Sequence, residues 1–125
     1  MTTMESEHEE AMRSDFRERT ALALSGYQPG VTDTQIDEIY AETRQIDDRW
    51  NSGPHADQWR YLSDAYADWR DAPDTMDRFI DNIEFNRAKG EDFGLDEVQR
   101  RSLYQARELT EPHRVRPRGR VRRER

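Results

Sequence analysis

Residues 32–71 read TDTQIDEIYAETRQIDDRW, NSGP, HADQWRYLSDAYADWRD, and this stretch decides the fold. In its first part Ile36, Ile39, Tyr40, Thr43, Ile46 and Trp50 recur at i, i+3, i+4 and i+7. At about 100° per residue they share a helical arc of roughly 120°. In its last part Trp59, Leu62, Tyr66 and Trp69 follow the same rule. Thr32-Asp33-Thr34-Gln35 matches a capping box: the threonine oxygen accepts from an early backbone N–H while the glutamine reaches back to the cap. Gly53 ends the first helix, and Pro54 opens the second, because proline lacks only an N–H that a first turn leaves unpaired. The spacing predicts a central antiparallel helix pair, about 33–51 and 54–71, with its seams facing each other.

On the N-terminal side, residues 7–24 carry Met12, Phe16 and Ala23 on one helical face, with Glu9–Arg13 and Asp15–Arg19 spaced for i, i+4 pairing. So narrow a stripe predicts a helix that docks weakly and ends at Gly26. Tyr27-Gln28-Pro29-Gly30 reads as a turn, since proline presets one φ and glycine supplies a positive one.

On the C-terminal side, Ala72-Pro73-Asp74 breaks the pattern, and Asp74 or Thr75 is the expected cap of a helix burying Met76, Phe79, Ile80 and Ile83. Phe85 projects to the opposite side and is expected to tuck beneath the following loop with Phe93. A last helix over 96–109 presents Leu95, Val98, Ala106 and Leu109, interrupted by Ser102 and Gln105, which predicts a place at the rim. Asp-Gln-Trp-Arg at 57–60 and Ala-Asp-Trp-Arg at 67–70 are about three helical turns apart within one helix, a packing period and not a repeat architecture. No segment alternates as a strand does. The expectation is an all-α protein, a small bundle of four to five helices, with an acidic helical domain over 1–112 and a disordered basic C-terminal tail over 113–125.

The 125 residues are 33% hydrophobic and 38% charged, which allows one modest core. The absence of cysteine excludes disulfides, thiolate catalysis and the common structural zinc sites. No run approaches the roughly eighteen apolar residues of a membrane span, and residues 1–10 are acidic where a targeting peptide is basic or apolar. A soluble, cytoplasmic protein without membrane contact is expected.

Charge is partitioned steeply along the chain. Residues 113–125 hold seven arginines and one glutamate, net +6, so the formal charge of −7 leaves −13 on residues 1–112. Proline and glycine prevent a continuous helix in the tail, so Arg114, Arg116, Arg118, Arg120, Arg122 and Arg123 are offered on an extended strand able to follow a phosphate backbone. Pro117-Arg118-Gly119-Arg120 resembles the core of an AT-hook, the short motif that lays Arg-Gly-Arg in the narrow minor groove of A·T-rich DNA. Val121 stands where that family has a second proline. The resemblance implies that Arg118 and Arg120 insert and that Gly119 allows close backbone approach. Arginine suits a narrow groove because the negative potential there is enhanced. An acidic protein partner, or the chain's own acidic body, is the competing polyanion.

The body offers a second candidate surface. Asp57, Asp64, Asp68 and Asp71 fall within roughly 60° on the helix side away from the tryptophans. Such a row is a solvated face, a partner-binding surface that imitates nucleic-acid phosphates, or a hard-cation site, and no facing acidic motif supports the last. Glu5 and His8 have the carboxylate–histidine spacing of di-iron bundles, but no second copy accompanies them. No Ser/His/Asp grouping, phosphate loop or zinc pattern is present. The expectation is a non-enzyme without cofactor or metal: an accessory protein whose body binds a protein and whose tail contacts nucleic acid. The alternative is a protein–protein module, scaffold-like or an acidic nucleic-acid mimic. Tyr61 and Phe85, off the main stripes, extend the core or mark a homodimer face.

Overall fold

A computed structural model describes residues 4–91 and 95–111. Five helices follow one another: α1 Ser6–Ser25, α2 Asp33–Asn51, α3 Ala56–Asp71, α4 Pro73–Ala88 and α5 Glu97–Thr110. Among the described residues there is no strand, and the all-α bundle is as expected.

Local chemistry sets the helix ends. The capping box forms: Thr32 Oγ1 accepts from Gln35 N at 3.1 Å, and Gln35 Oε1 accepts from Thr32 N at 2.9 Å. A second box opens α5, where Asp96 Oδ1 accepts from Gln99 N at 2.7 Å and Gln99 Oε1 from Asp96 N at 3.0 Å. Gly30 supplies the positive φ (86°) of the α1–α2 turn, and Gly90 (87°) that of the exit from α4. Two boundaries differ from expectation. Pro54 lies in the turn and α3 starts at Ala56, whereas α4 starts on Pro73 itself, at the helix position that tolerates a missing N–H.

The core clusters Met12 and Phe16 of α1, Ile46 of α2, Trp59, Leu62, Ala65 and Trp69 of α3, Met76, Ile80 and Ile83 of α4, and Val98, Leu103 and Ala106 of α5. Helix α3 is its axis, packing on α2, α4 and, most extensively, α5. Trp59 stacks on Trp50 of α2 at 5.6 Å and 6°, and meets Phe16 in a T-shaped contact at 5.3 Å. The α2–α3 pair therefore forms, but Trp50 and Ile46 make its seam, and the first half of the α2 stripe stays outside it.

Three expectations about packing are corrected. Helix α5 is not at the rim: Val98, Ser102, Leu103, Gln105, Ala106 and Thr110 are all buried, because Ser102 and Gln105 find polar partners on α1. Helix α1 does not dock weakly, since Met12 and Phe16 are fully enclosed. Phe79 and Phe85 do not tuck in. They are 42% and 64% exposed, and the Lys89 ammonium sits 5.0 Å over the Phe85 ring. Phe93 lies outside the described residues. Tyr61 packs against the core.

Candidate functional site

The carboxylate row is in place. Trp59, Leu62 and Trp69 are buried on one side of α3, and this fixes Asp57, Asp64, Asp68 and Asp71 on the exposed side. Asp57 accepts from Arg60 at 3.3 Å and Asp71 from Arg70 at 3.0 Å, both exposed pairs of the kind that hold weakly. Asp64 and Asp68, one turn apart, make no ion pair among the described residues. Several of the body's arginines are paired with other carboxylates of the chain and not with this row. Arg19 holds Asp47 at 2.7 Å, Arg49 holds Asp15 at 2.8 Å, Arg87 holds Glu97 at 2.8 Å and Arg107 holds Asp77 at 3.5 Å.

The densest polar constellation joins α1 to α5. Glu9, 7% exposed, accepts from Arg13 Nη2 at 2.6 Å and from Arg101 Nε and Nη2 at 2.7 and 2.8 Å. Arg13 also donates to Ser102 Oγ at 3.2 Å, Gln105 Oε1 at 2.9 Å and the Val98 carbonyl at 3.0 Å. The Arg101 hydrogen bond holds the Glu9 carboxyl below its usual range, against desolvation and with the help of Arg13. Every partner here is satisfied by another residue of the chain, so the constellation is a fastening between helices. Only its Glu9–Arg13 component showed in the spacing. A polar pair breaking an apolar face was the remaining signal.

A groove runs between the end of α1 and the start of α2. Ile36, Ile39, Tyr40 and Thr43 form one wall, and Ala23, Gly26 and Tyr27 the other, around about 320 Å³. Tyr27 is 85% and Tyr40 63% exposed. Ile36, Ile39, Tyr40 and Thr43 belong to the stripe whose spacing predicted a covered seam; within this chain the first two and Thr43 are half-buried and Tyr40 is exposed.

Glu5, Glu7 and His8 bring ligand-type atoms within 4.8 Å of one another, all exposed. They crowd the N-terminus of α1, where the helix dipole disfavours a cation. The His8 ring lies 5.0 Å from that of His55. Arg114, Arg116, Arg118, Gly119, Arg120, Arg122 and Arg123 lie outside the described residues. Among those described, no helix is long and apolar enough to cross a membrane. No family model, curated protein or solved structure matches the chain.

Proposed function

We propose that the chain is a small non-catalytic helical accessory protein, a regulator or assembly factor acting in the cytoplasm. Its acidic body binds a protein partner and its arginine-rich segment contacts nucleic acid. One observation carries the reading: −13 on residues 1–112 against +6 on residues 113–125. The two parts attract partners of opposite charge. The outward carboxylates of α3 and the internal pairing of Arg19, Arg49, Arg87 and Arg107 support the anionic half of the reading.

Binding of duplex DNA and RNA by the full chain, measured across salt, tests the cationic half. We expect affinity to fall steeply, with a slope reflecting about five to seven phosphate contacts. Arg118→Ala with Arg120→Ala should reduce that slope by about 2. Equal binding by residues 1–112 would sink the nucleic-acid reading.

A second reading, a protein–protein module with no nucleic-acid contact of its own, is favoured by a different observation. Aromatic residues anchor interfaces, and Tyr27 and Tyr40 stand beside partly covered isoleucines. A partner pull-down from lysate that survives nuclease and deletion of 113–125 but not Tyr40→Ser would select it. Phe85 is the position at which self-association would be sought.

A further inference from the structure

A second hollow of about 330 Å³ opens between α1 and α3, sharing Arg19, Ala23 and Tyr27 with the α2 groove. Its charge runs against that of the body. Arg19 of α1 and Arg70 of α3 both line it, and no carboxylate does. Each guanidinium spends its Nε on an aspartate outside the hollow, Arg19 on Asp47 at 2.7 Å and Arg70 on Asp71 at 3.0 Å. Their terminal nitrogens make no hydrogen bond among the described residues. The Arg70–Asp71 pair is exposed on both sides and exchanges readily.

The rest of the lining is of the same character. Tyr27, Tyr66 and Ser63 add hydroxyls, the tyrosine rings add apolar faces, and the enclosed Phe16 ring lies beneath the Arg19 guanidinium at 5.7 Å. Tyr66 shares this space with Arg19, Arg70 and Tyr27. Burial pushes its phenol above the usual range, which keeps it a protonated donor. Thr20 also lines the hollow. It is 4% exposed, and its Oγ1 is buried without a hydrogen-bond partner among the described residues. Buried hydroxyls ordinarily find one.

We propose that this hollow binds a small aromatic oxyanion, a single ring carrying a phosphoryl or carboxylate group. Guanidinium nitrogens and hydroxyls are all donors, which suits an acceptor-only group. Their number favours the three terminal oxygens of a phosphate monoester over a carboxylate. The volume is at the small end of ligand sites and admits one ring, not a dinucleotide. The rings of Tyr27 and Tyr66 supply the stacking surface. The site touches the carboxylate row only through the Arg70–Asp71 pair, and the proposal would stand if the functional reading of the tail or of the row failed.

The test is titration of the full-length, isotope-labelled protein with phenyl phosphate, benzoate and benzyl alcohol, followed by backbone amide shifts. Phenyl phosphate should saturate shifts at Thr20, Ser63 and Ala67, with benzoate weaker and neutral benzyl alcohol at least tenfold weaker. Arg70→Gln, an exposed change that keeps the fold, should weaken phenyl phosphate at least tenfold, and Tyr27→Phe should weaken it less. Arg19→Gln is the companion variant, interpreted only if its spectrum stays folded. The proposal is overturned if shifts do not saturate, if they map only to residues 113–125, or if benzyl alcohol binds as well as phenyl phosphate.

Discussion

Arg13 and Gln105 bond in both directions: Gln105 Oε1 accepts from Arg13 Nη1 at 2.9 Å, and Gln105 Nε2 donates to the Arg13 carbonyl at 3.0 Å. The exchange spans 92 positions of sequence and ties the middle of α1 to the last turns of α5. A helix carbonyl and a guanidinium, both part-buried, are satisfied by one amide. Gln105→Ala should remove both bonds, leave Arg13 partly unpaired, and destabilise the protein by about 1–3 kcal/mol in a urea titration. No change in the midpoint would mean that water replaces the amide without loss.

Acid should loosen the same fastening. Glu9 has its carboxyl held below the ordinary 4.5, first by the Arg101 hydrogen bond. A carboxyl depressed in the folded state contributes stability that is complete above its unfolded value and is lost as pH falls through the folded one. The Glu9 contribution should therefore be full at neutral pH and fade below about pH 4.5. Glu9→Gln should be less stable than the parent at pH 7, with the difference shrinking toward pH 3. A constant difference at both pH values would contradict the assignment.

Trp59 is 1% exposed, stacks on Trp50, and donates its Nε1–H to Asp47 at 3.1 Å. Asp47 also accepts from Arg19, so one carboxylate links α1, α2 and α3. Trp59→Ala should cost about 3–5 kcal/mol through lost apolar burial and the cavity left behind. In a domain of marginal stability that is enough to leave much of the chain unfolded, which circular dichroism would read directly. Retention of a cooperative transition near the parent midpoint would show that the bundle repacks around the loss.

The exposed row should behave in the opposite way. Converting Asp57, Asp64, Asp68 and Asp71 to asparagine touches no buried contact, and each change should alter stability by less than about 0.5 kcal/mol. If the row is the partner surface, the fourfold variant should fold normally and lose its partner in a pull-down. Capture at parental strength would remove the row from the functional reading.

The unburied half of α2 gives a sharper contrast. Ile46 is 5% exposed whereas Tyr40, on the same stripe, is 63% exposed. Tyr40→Ser should leave the thermal midpoint almost unchanged, while Ile46→Ala should lower stability by about 2–5 kcal/mol. Comparable losses from both would indicate that the groove is closed in solution.

By itself the amino-acid sequence determined the helices, most of their ends and the all-α class. Capping boxes, turn glycines and the 3.6-residue period act within a few residues of one another, so Thr32 and Gln35 need nothing distant to form their bonds. It also determined the partition of charge, although the arginines of 113–125 lie beyond the described residues. Only the tertiary structure decided which apolar arcs are covered, and by what. Periodicity records that Ile36, Ile39 and Tyr40 share a face, but that face meets a groove while Ile46 enters the core and Trp50 stacks on Trp59. Ser102 and Gln105 read as flaws in an apolar stripe because polarity shows the cost of burying a group, not the arrival of Arg13 to offset it. The Thr20 hollow was illegible for the same reason. Arg19 and Arg70 are 51 positions apart in the chain, and only the packing of α1 on α3 sets them around one space.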